Sequence, residues 1–296
     1  MTNATETTTA RVQPKSGLDS FLSKLPYMNR NPVVAVVRLE GVIGKGGVGR
    51  RGLTLESIAP QLRQAFSLRG VSAVALEINS PGGSPVQSDL IATRIRALSE
   101  EKGVPVFAFC EDAAASGGYW LACAADEIHA MPGSIVGSIG VVSAGFGFVD
   151  AIGKLGIERR VHTAGTEKAI LDPFQPEKKA DLDILKRIQI DLHDQFKTWI
   201  EKRRSGKLTD TRDLFTGAFW TGREAVDLGL VDGLGDCRTV MRTRFGKKTR
   251  FRSFSKPKSR LQRLVGLGGD QKIGGDFADA ALDRVEEGFF WQRLGL

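Results

Sequence analysis

Ala113-Ala-Ala-Ser116-Gly-Gly-Tyr-Trp120 is the stretch that decides the fold. It follows an apolar run, residues 104–110, which predicts a buried strand, and residues 117–124 predict the start of a helix. A serine at such a tight junction lies at the carboxyl end of a sheet, where backbone N–H groups and a helix N-terminus face it. This geometry suits acyl transfer, which must hold negative charge on an oxygen beside a nucleophile. Close packing of small residues is the other interpretation of this turn.

A second glycine-bearing turn, Ser80-Pro-Gly82-Gly83-Ser84, has the same setting. It follows the apolar run 71–76 and precedes an amphipathic helix that we predict from Val86 to Leu98. Its amides are exposed and no side chain blocks a ligand, although an ordinary Pro-Gly turn has the same composition. If the two preceding strands pair in parallel, the two turns lie side by side.

Apolar runs and helical patterns alternate between Pro32 and Asp236 without a break in composition, which favours a single α/β domain. The chain of 296 residues is 41% hydrophobic and can bury a large core. We predict a polar, disordered segment over residues 1–31, a catalytic domain over 32–240 and a basic, amphipathic tail over 241–296. The predicted strands are Val33–Leu39, Val71–Ile78, Val104–Phe109, Glu127–Met131, Ser138–Ser143 and Ile157–Val161. The predicted helices are Leu55–Leu68, Val86–Leu98, Gly118–Ala125, Gly147–Leu155, Lys178–Arg204 and Arg223–Leu228.

Four ordered motifs together resemble the signal peptide peptidase A family of serine peptidases, which have the Clp protease/crotonase fold. They are Ser-Pro-Gly-Gly at 80–83, Ala-Ala-Ser-Gly-Gly-Tyr at 114–119, the Gly-Ser-rich segment 133–141 and the closing segment 220–235. The resemblance covers about residues 32–245. It implies stacked ββα units, the short single-domain form of the family and a ring-like homo-oligomer. In such a ring the serine and the base of one site can come from neighbouring subunits.

A serine nucleophile needs a base, and the chain has only three histidines: His129, His162 and His193. Related Clp proteases carry the histidine base in the strand that here reads Gly-Ser-Ile-Gly at 137–140. This segment contains no histidine, so a Ser-His-Asp triad is disfavoured. The resemblance implies a lysine instead. Lys168 fits the family pattern, because it closes a Gly-x-x-Lys segment 52 residues after Ser116 and a Pro-Phe pair follows it.

A lysine acts as a base only when it is neutral, and burial lowers a lysine pKa from ~10.4 by up to ~3–5 units. We therefore expect Lys168 in a mostly dry site, with Glu167 pointing away. A solvated surface charge is the other interpretation. The resemblance also implies that the N–H groups of Gly83 and Gly117 hold the oxyanion and that Ser138 orients the lysine, although Ser138 also fits a plain turn.

We expect no cofactor and no metal. The three cysteines, Cys110, Cys123 and Cys237, lack metal-binding spacing, and residues 44–49 lack a complete phosphate-binding motif. The expected reaction is serine endopeptidase hydrolysis, through an acyl-enzyme, of signal peptides or other unfolded or membrane-derived peptides. A crotonase-like acyl-CoA enzyme and an inactive membrane scaffold are the alternatives. Ser116 and Lys168 in their motifs favour the peptidase.

The formal net charge of +8 comes mostly from the tail, which has ten Lys/Arg and no acidic residue between Arg242 and Arg263. Interleaved aromatic residues favour an anionic membrane surface as the partner of residues 242–296; a solvated tail is the alternative, and nucleic acid is disfavoured. Neither a signal peptide nor a long apolar run is seen, which predicts a location in the cytoplasm or on the cytoplasmic membrane face. The apolar stripe of the helix 178–204 predicts either core packing or a subunit contact.

Overall fold

The computed structural model describes residues 31–44, 52–209, 214–254 and Leu294. Strands and helices alternate along most of the chain. The strands are β1 (Val33–Glu40), β2 (Val71–Ser80), β3 (Val106–Ala115), β4 (Glu127–Ala130), β5 (Ile135–Gly137), β6 (Phe219–Thr221), β7 (Gly233–Leu234) and β8 (Arg250–Phe254). The helices are α1 (Leu55–Phe66), α2 (Pro85–Lys102), α3 (Gly117–Ala122), α4 (Val149–Lys154), α5 (Lys179–Arg203), α6 (Gly222–Asp227) and α7 (Cys237–Phe245).

The strands form one mostly parallel sheet in the order β6–β5–β3–β2–β1–β8, and only the β5–β6 pair is antiparallel. Strand β3 changes partner along its length. Its first half, Phe107–Cys110, pairs with β4, and Ala113–Ala115 pair with β5. The predicted α/β fold is confirmed, and the carboxyl ends of β2, β3 and β5 meet at one edge of the sheet.

The central strands are buried on both faces, as expected for parallel strands covered on each side. In β2, residues 73–76 have no solvent exposure. Val37 and Leu76 belong to a large inner cluster that includes apolar residues of α1, α2 and α3. Val36 and Ala75 point the other way into a smaller outer cluster with Met241 of α7. This double cover fixes the sheet edge from which the functional turns project.

Three strand predictions are wrong. The strand expected at Ser138–Ser143 lies earlier, as β5, and it ends because Ser138 has a φ of 52°. The expected strand Ile157–Val161 has no regular structure. Strand β3 does not end at Phe109 but continues to Ala115, because β5 replaces β4 as its partner. The other three predicted strands and the six predicted helices are confirmed to within a few residues at each end, whereas β6, β7, β8 and α7 were not predicted.

The long helix α5 packs on the core at its carboxyl end, and its amino end accepts a hydrogen bond from the Leu171 N–H at Asp181, at 3.1 Å. Phe196 and Ile200 are buried, and the Phe196 ring stacks on Trp120 at a centroid distance of 4.8 Å. Towards the amino end, Leu182 is 39% exposed and Ile188 is 50% exposed. The prediction of core packing therefore holds for the carboxyl half of the stripe, and the amino half presents apolar side chains to solvent.

The boundary predicted at residue 240 falls inside α7, and β8 pairs with β1 beyond it. Phe245 and Phe251 pack on the outer cluster, so these aromatic residues of the predicted membrane-binding tail are engaged in the fold. The rest of that tail, except Leu294, lies outside the described residues, as does nearly all of the segment 1–31. The division into three segments stays a prediction. Among the described residues, no helix combines the length and apolarity needed to cross a membrane.

Candidate active site

Ser116 stands at the junction of β3 and α3 in an unusual backbone conformation, with φ 51° and ψ −120°. Positive φ is uncommon for a non-glycine residue and concentrates at functional sites. The Ser116 N–H donates to the Gly137 carbonyl at 2.7 Å, which ties the junction to the end of β5. Ser116 is half-buried between the buried residues Ala115 and Gly117. Its hydroxyl makes no hydrogen bond to the described residues.

The second glycine turn is held against the chain that follows β1. The Ile43 N–H donates to the Gly82 carbonyl at 2.8 Å, and the Ser84 N–H donates to the Ile43 carbonyl at 2.7 Å. Gly83 has a φ of 138°, and a Cβ atom there would overlap the Ile43 carbonyl oxygen. Only glycine fits this position without strain. The turn therefore has a fixed place beside the sheet edge.

The two turns are in contact with each other, as the sequence predicted. A Cβ atom on Gly82 would lie 2.7 Å from the Ser116 Cβ and 2.9 Å from the Gly117 nitrogen. Among the described residues, neither the Gly83 N–H nor the Gly117 N–H has a hydrogen-bond acceptor. Two unsatisfied amide donors thus occur in turns that meet at one serine. Such donors can stabilise an oxygen that acquires negative charge.

A cavity of about 350 Å³ opens at Ser116. Its lining residues are Pro81, Ser116, Ser138, Gly140, Val141, Val142, His193, Thr216, Gly217 and Leu294. Ser138 follows β5, where its N–H donates to the Ala218 carbonyl at 2.7 Å. The structure therefore brings Ser116 and Ser138 to the same cavity. A larger cavity of about 640 Å³ lies elsewhere, among charged residues that include Arg38 and Glu111, and Ser116 does not line it.

Lys168 is not at this cavity in the single chain. We call residues 141–178 the lobe. Lys168 lies in a turn within the lobe, and its side chain is exposed. The predicted dry site is therefore wrong for the single chain, because no described element covers this turn. Within the described part of the chain Lys168 makes no ion pair, so Glu167 does not neutralise it. The Pro-Phe pair orders the lobe: the Phe148 N–H donates to the Pro173 carbonyl at 2.7 Å.

The histidine that lines the Ser116 cavity is His193 of α5, and its Nε2 has no hydrogen-bond partner among the described residues. The local sequence does not single it out as a cavity residue, although its spacing of three residues from Phe196 places it on the helix side that meets the core. His129 lies elsewhere, stacked on Phe109 at 5.5 Å. Burial lowers the pKa of His129, against the opposing effect of the nearby Glu127 carboxylate. His162 is exposed on the lobe.

The cysteines are structural in character. Cys110, Cys123 and Cys237 are free and buried, and burial raises the pKa of each thiol to about 12. A thiol with so high a pKa is a poor nucleophile and a poor metal ligand at neutral pH. Among the described residues there is no cluster of histidine, cysteine and carboxylate side chains that could hold a metal ion. Ser116 is therefore the candidate nucleophile that the geometry favours.

Comparison with known proteins gives the chain its family. Residues 99–247 match Peptidase family S49. The "Na(+)/H(+) antiporter NhaA" of Brucella abortus is 49% identical over 271 residues, which are 89% of this chain and 37% of that protein. The "Putative signal peptide peptidase SppA" of Enterococcus faecium is 27% identical over 209 residues, which are 69% of this chain and 60% of that protein. The chain spans little more than a third of the length of the first curated relatives it matches.

Among solved structures, the chain is similar to a mutant of the 1510-N membrane-bound stomatin-specific protease in complex with a substrate peptide. The TM-score is 0.49 at 15% identity, and the match covers 79% of this chain and 96% of that chain. The family match covers half of the chain and includes β3, the Ser116 junction and the lobe. The chain belongs to peptidase family S49, a family of serine peptidases.

Proposed function

We propose that this chain is a serine endopeptidase with a Ser-Lys dyad, in which Ser116 is the nucleophile. The observation that carries the proposal is the contact between the two glycine-bearing turns at a half-buried serine with a free hydroxyl. In the proposed reaction the Ser116 Oγ attacks a peptide carbonyl and forms an acyl-enzyme as the amine departs. Water then attacks the ester and releases the second product.

The oxyanion of each tetrahedral intermediate is held by the N–H groups of Gly83 and Gly117. Support comes from the lack of acceptors for both groups among the described residues, and from the rigid bridge between Ile43 and Gly83. Donors that are already oriented need no reorganisation when charge develops. Removal of one such donor typically costs about 10²–10³ in turnover.

The base in this proposal is Lys168, supplied to the Ser116 cavity by a neighbouring copy in a homo-oligomeric ring. It takes the serine proton and passes it to the leaving amine, and the Ser138 hydroxyl orients it. Support comes from the exposure of Lys168 and from the apolar surface around it. The lobe and the amino half of α5 expose Val142, Phe146, Phe148, Leu155, Ile157, Val161, Leu171, Leu182, Ile188 and Ile190. Apolar exposure on this scale is typical of a protein–protein contact.

The substrates in this proposal are signal peptides or other unfolded and membrane-derived peptides. Pro81, Val141 and Val142 contribute apolar side chains to a cavity whose lining is mixed, and these side chains suit small or apolar residues at the cleavage site. The name of the Enterococcus relative supports a signal peptide as one substrate. The reaction uses serine, lysine, amides and water, and so requires no cofactor. The cytoplasmic or membrane-surface location stays a prediction from the sequence.

The test is hydrolysis of a quenched apolar peptide by the wild type, Ser116→Ala, Lys168→Ala and an equimolar mixture of the two variants. We expect each single variant to lose activity and the mixture to recover part of it, because each neighbouring pair can then combine an intact serine with an intact lysine. Lys154→Ala is the matched control, since it removes another lysine of the lobe. It should leave turnover unchanged.

Two further outcomes would overturn parts of the proposal. Full activity in Lys168→Ala, together with loss in His193→Asn, would replace the lysine with the histidine that lines the Ser116 cavity. Absence of hydrolysis by the wild type at every protein concentration would overturn the peptidase reading of this chain. If the base came from the same subunit as the serine, mixing Ser116→Ala with Lys168→Ala would not restore activity.

A further inference from the structure

Strand β8 ends the sheet, and basic residues surround it. Among the described residues β8 pairs with β1 alone, so its outer edge has no strand partner there. An edge of this kind offers backbone N–H and C=O groups to a further strand. Residues 237–254 contain seven Lys/Arg residues and no Asp or Glu. They are Arg238, Arg242, Arg244, Lys247, Lys248, Arg250 and Arg252.

Two of these arginines border β8 on the inner face of the sheet. Phe251 packs on the outer cluster and Phe254 packs on the inner cluster. Because side chains alternate along a strand, Arg250 and Arg252 lie on the inner face together with Phe254. The Arg252 Cζ lies 5.4 Å from the centroid of the Phe254 ring. Both arginines are exposed, so two cations border the free edge on this face.

Helix α7 supplies the cations of the outer face. Arg238 and Arg242 are four residues apart, and their Cζ atoms lie 5.1 Å and 5.8 Å from the centroid of the Phe251 ring. A guanidinium on a phenyl face is held by cation–π attraction and keeps its N–H donors for an anion. The turn before β8 adds Lys247 and Lys248, both exposed. Cations therefore flank the edge strand on both faces.

This positive charge is not balanced within the described part of the chain. Of the seven basic residues, Arg244 alone makes an ion pair there, with Glu127 at 2.7 Å. The other six are exposed, and we call them the basic edge: Arg238, Arg242, Lys247, Lys248, Arg250 and Arg252. Unbalanced charge of one sign repels a second copy of the same edge and attracts an acidic partner.

We propose that β8 binds an extended acidic segment of a partner protein, which joins the sheet as an additional strand. Backbone hydrogen bonds to the free edge supply affinity, and carboxylates on alternate sides of the segment reach the basic edge on both faces. Cations on two faces of one strand suit a strand laid beside it better than a flat lipid surface. Strands β1 and β2 lie between β8 and β3, so the bound segment leaves the Ser116 cavity open. The inference does not depend on the proposed peptidase function.

The backbone groups that receive the segment follow from the pairing of β8 with β1. The Arg250 N–H donates to the Pro32 carbonyl at 2.8 Å, so the backbone groups of Arg250 point towards β1. The direction of these groups alternates along a strand, and the N–H groups of Phe251 and Ser253 therefore face the free edge. Ser253 is exposed, which makes it the position where this donor can be removed with least effect on the core.

The first arm measures binding by fluorescence anisotropy in the full chain carrying Ser116→Ala, which prevents cleavage of the probe by the proposed mechanism. The probe is a fluorescein-labelled octapeptide of two Glu-Glu-Val-Thr repeats, which carries glutamates on both faces when extended. The same peptide N-methylated at its six central residues keeps its charge but loses its backbone donors. We expect the methylated peptide to bind about tenfold more weakly or worse, since each hydrogen bond contributes several-fold. Equal binding of the two peptides would overturn the proposed strand pairing.

The second arm removes one donor of the free edge. Ser253→Pro deletes an N–H that faces the proposed segment, and proline is tolerated on an edge strand where that N–H points to solvent. We expect several-fold weaker binding of the acidic peptide. Ser253→Ala is the matched control and should bind like the parent, and thermal unfolding checks that both variants fold. A folded Ser253→Pro variant that binds as well as Ser253→Ala would overturn the assignment of the edge.

The third arm removes charge and tests the class of partner. Arg250→Gln/Arg252→Gln should weaken the acidic peptide several-fold. Lys102→Gln/Lys202→Gln is the matched control, since it removes two exposed cations from helices α2 and α5 and should leave binding unchanged. If phosphatidylglycerol vesicles or a single-stranded oligonucleotide bind through the two arginines and the acidic peptide does not, the partner is a lipid or a nucleic acid and the proposal is wrong.

Discussion

The region around Ser116 and the lobe around Lys168 are built in opposite ways. Ser116 lies between buried neighbours, with its backbone tied to β5 by a 2.7 Å hydrogen bond. Lys168 lies among exposed residues, and helix α4 of the lobe has no buried residue. One region carries the proposed nucleophile, which the fold has already positioned. The other carries the proposed base, whose surroundings the single chain leaves open, and we therefore propose that a second copy completes the site.

Helix α5 shows the same contrast within one element. Its carboxyl end docks on the core through Phe196 and Ile200, and Arg204 beyond it is only 2% exposed. Its amino half carries Ile188 and Ile190, each at least half exposed. The core covers the carboxyl half of this helix, and we propose a neighbouring copy as the partner of the exposed half.

The largest expected effect is a loss of folding stability at Arg204, just beyond the carboxyl end of α5. Arg204 donates to the Asp232 carboxylate at 2.7 Å and to the Gly229 carbonyl at 2.6 Å and 3.0 Å. Arg204→Ala removes these three hydrogen bonds of a buried guanidinium, and hydrogen bonds to charged groups typically contribute about 1.5–3 kcal/mol each. The Asp232 side chain is 17% exposed and keeps its ion pair with Lys207 at 2.6 Å. Chemical unfolding measures the loss. Arg160→Ala is the control in the lobe, where the pair with Glu158 is exposed and is worth less than about 1 kcal/mol.

The next effect concerns the positioned nucleophile. Gly83→Ala forces a side chain into the Ile43 carbonyl at a φ of 138°, so the turn must move and its N–H is misdirected. We expect turnover of the quenched peptide to fall by about 10²–10³. Gly133→Ala is the control, because a Cβ atom there meets no atom within 4 Å. Wild-type turnover in Gly83→Ala would remove this turn from the proposed oxyanion site.

The same substitution at two points of α5 sharpens the contrast further. Ile200 has no solvent exposure and Ile188 is 50% exposed. Ile200→Ala should lower the unfolding free energy by about 2–5 kcal/mol, as for other buried large-to-small substitutions. Ile188→Ala should change the stability of the dissociated chain by less than about 0.5 kcal/mol, but weaken self-association in sedimentation experiments. Normal association of Ile188→Ala would argue against this half of α5 as the subunit contact.

The region around Ser116 could be predicted from the sequence to a greater extent than the lobe. The Ser116 junction and the Gly82-Gly83 turn were predictable, because glycines and a serine between a strand and a helix carry strong local constraints. The contact between the turns followed from parallel strand pairing. The end of β3 was not predictable, since Glu111 and Asp112 interrupt the apolar pattern and the strand continues only because β5 is available as a partner.

The lobe lies beyond what local pattern determines. The expected strand at Ile157–Val161 has β-branched apolar residues only at its two ends, with three charged residues between them, and no described strand is there to pair with it. The role of Lys168 came from a family resemblance, and its exposure shows that the single chain lacks the cover that a neutral lysine needs. His193 and Leu294 were missed as cavity residues because both approach Ser116 through long-range packing, which leaves no mark in a short window of sequence.

The smallest expected effect is the pH dependence of folding stability that Asp232 contributes. Burial acts to raise the pKa of Asp232, but hydrogen bonds from Arg204, Lys207 and the Ile128 N–H outweigh it and hold the pKa below its usual value. A carboxyl group with a lowered pKa in the folded state binds its proton more weakly than in the unfolded state. Its contribution to stability is therefore complete above the unfolded pKa of ~3.9 and is lost as pH falls through the folded value.

Urea unfolding between pH 7 and pH 3 separates this carboxyl group from His129. Burial lowers the pKa of His129, so its neutral form favours folding and that contribution declines already below the unfolded histidine pKa of ~6.5. His129→Phe should reduce the fall in unfolding free energy between pH 7 and pH 5. It should leave the fall below pH 4, which we assign to Asp232, unchanged. Glu158→Gln in the lobe should change neither limb, since its carboxylate pairs only with exposed Arg160 among the described residues. If Glu158→Gln altered the acid limb as much as Asp232→Asn, the core would no longer differ from the lobe in its electrostatics, and the contrast between them would rest on apolar packing alone.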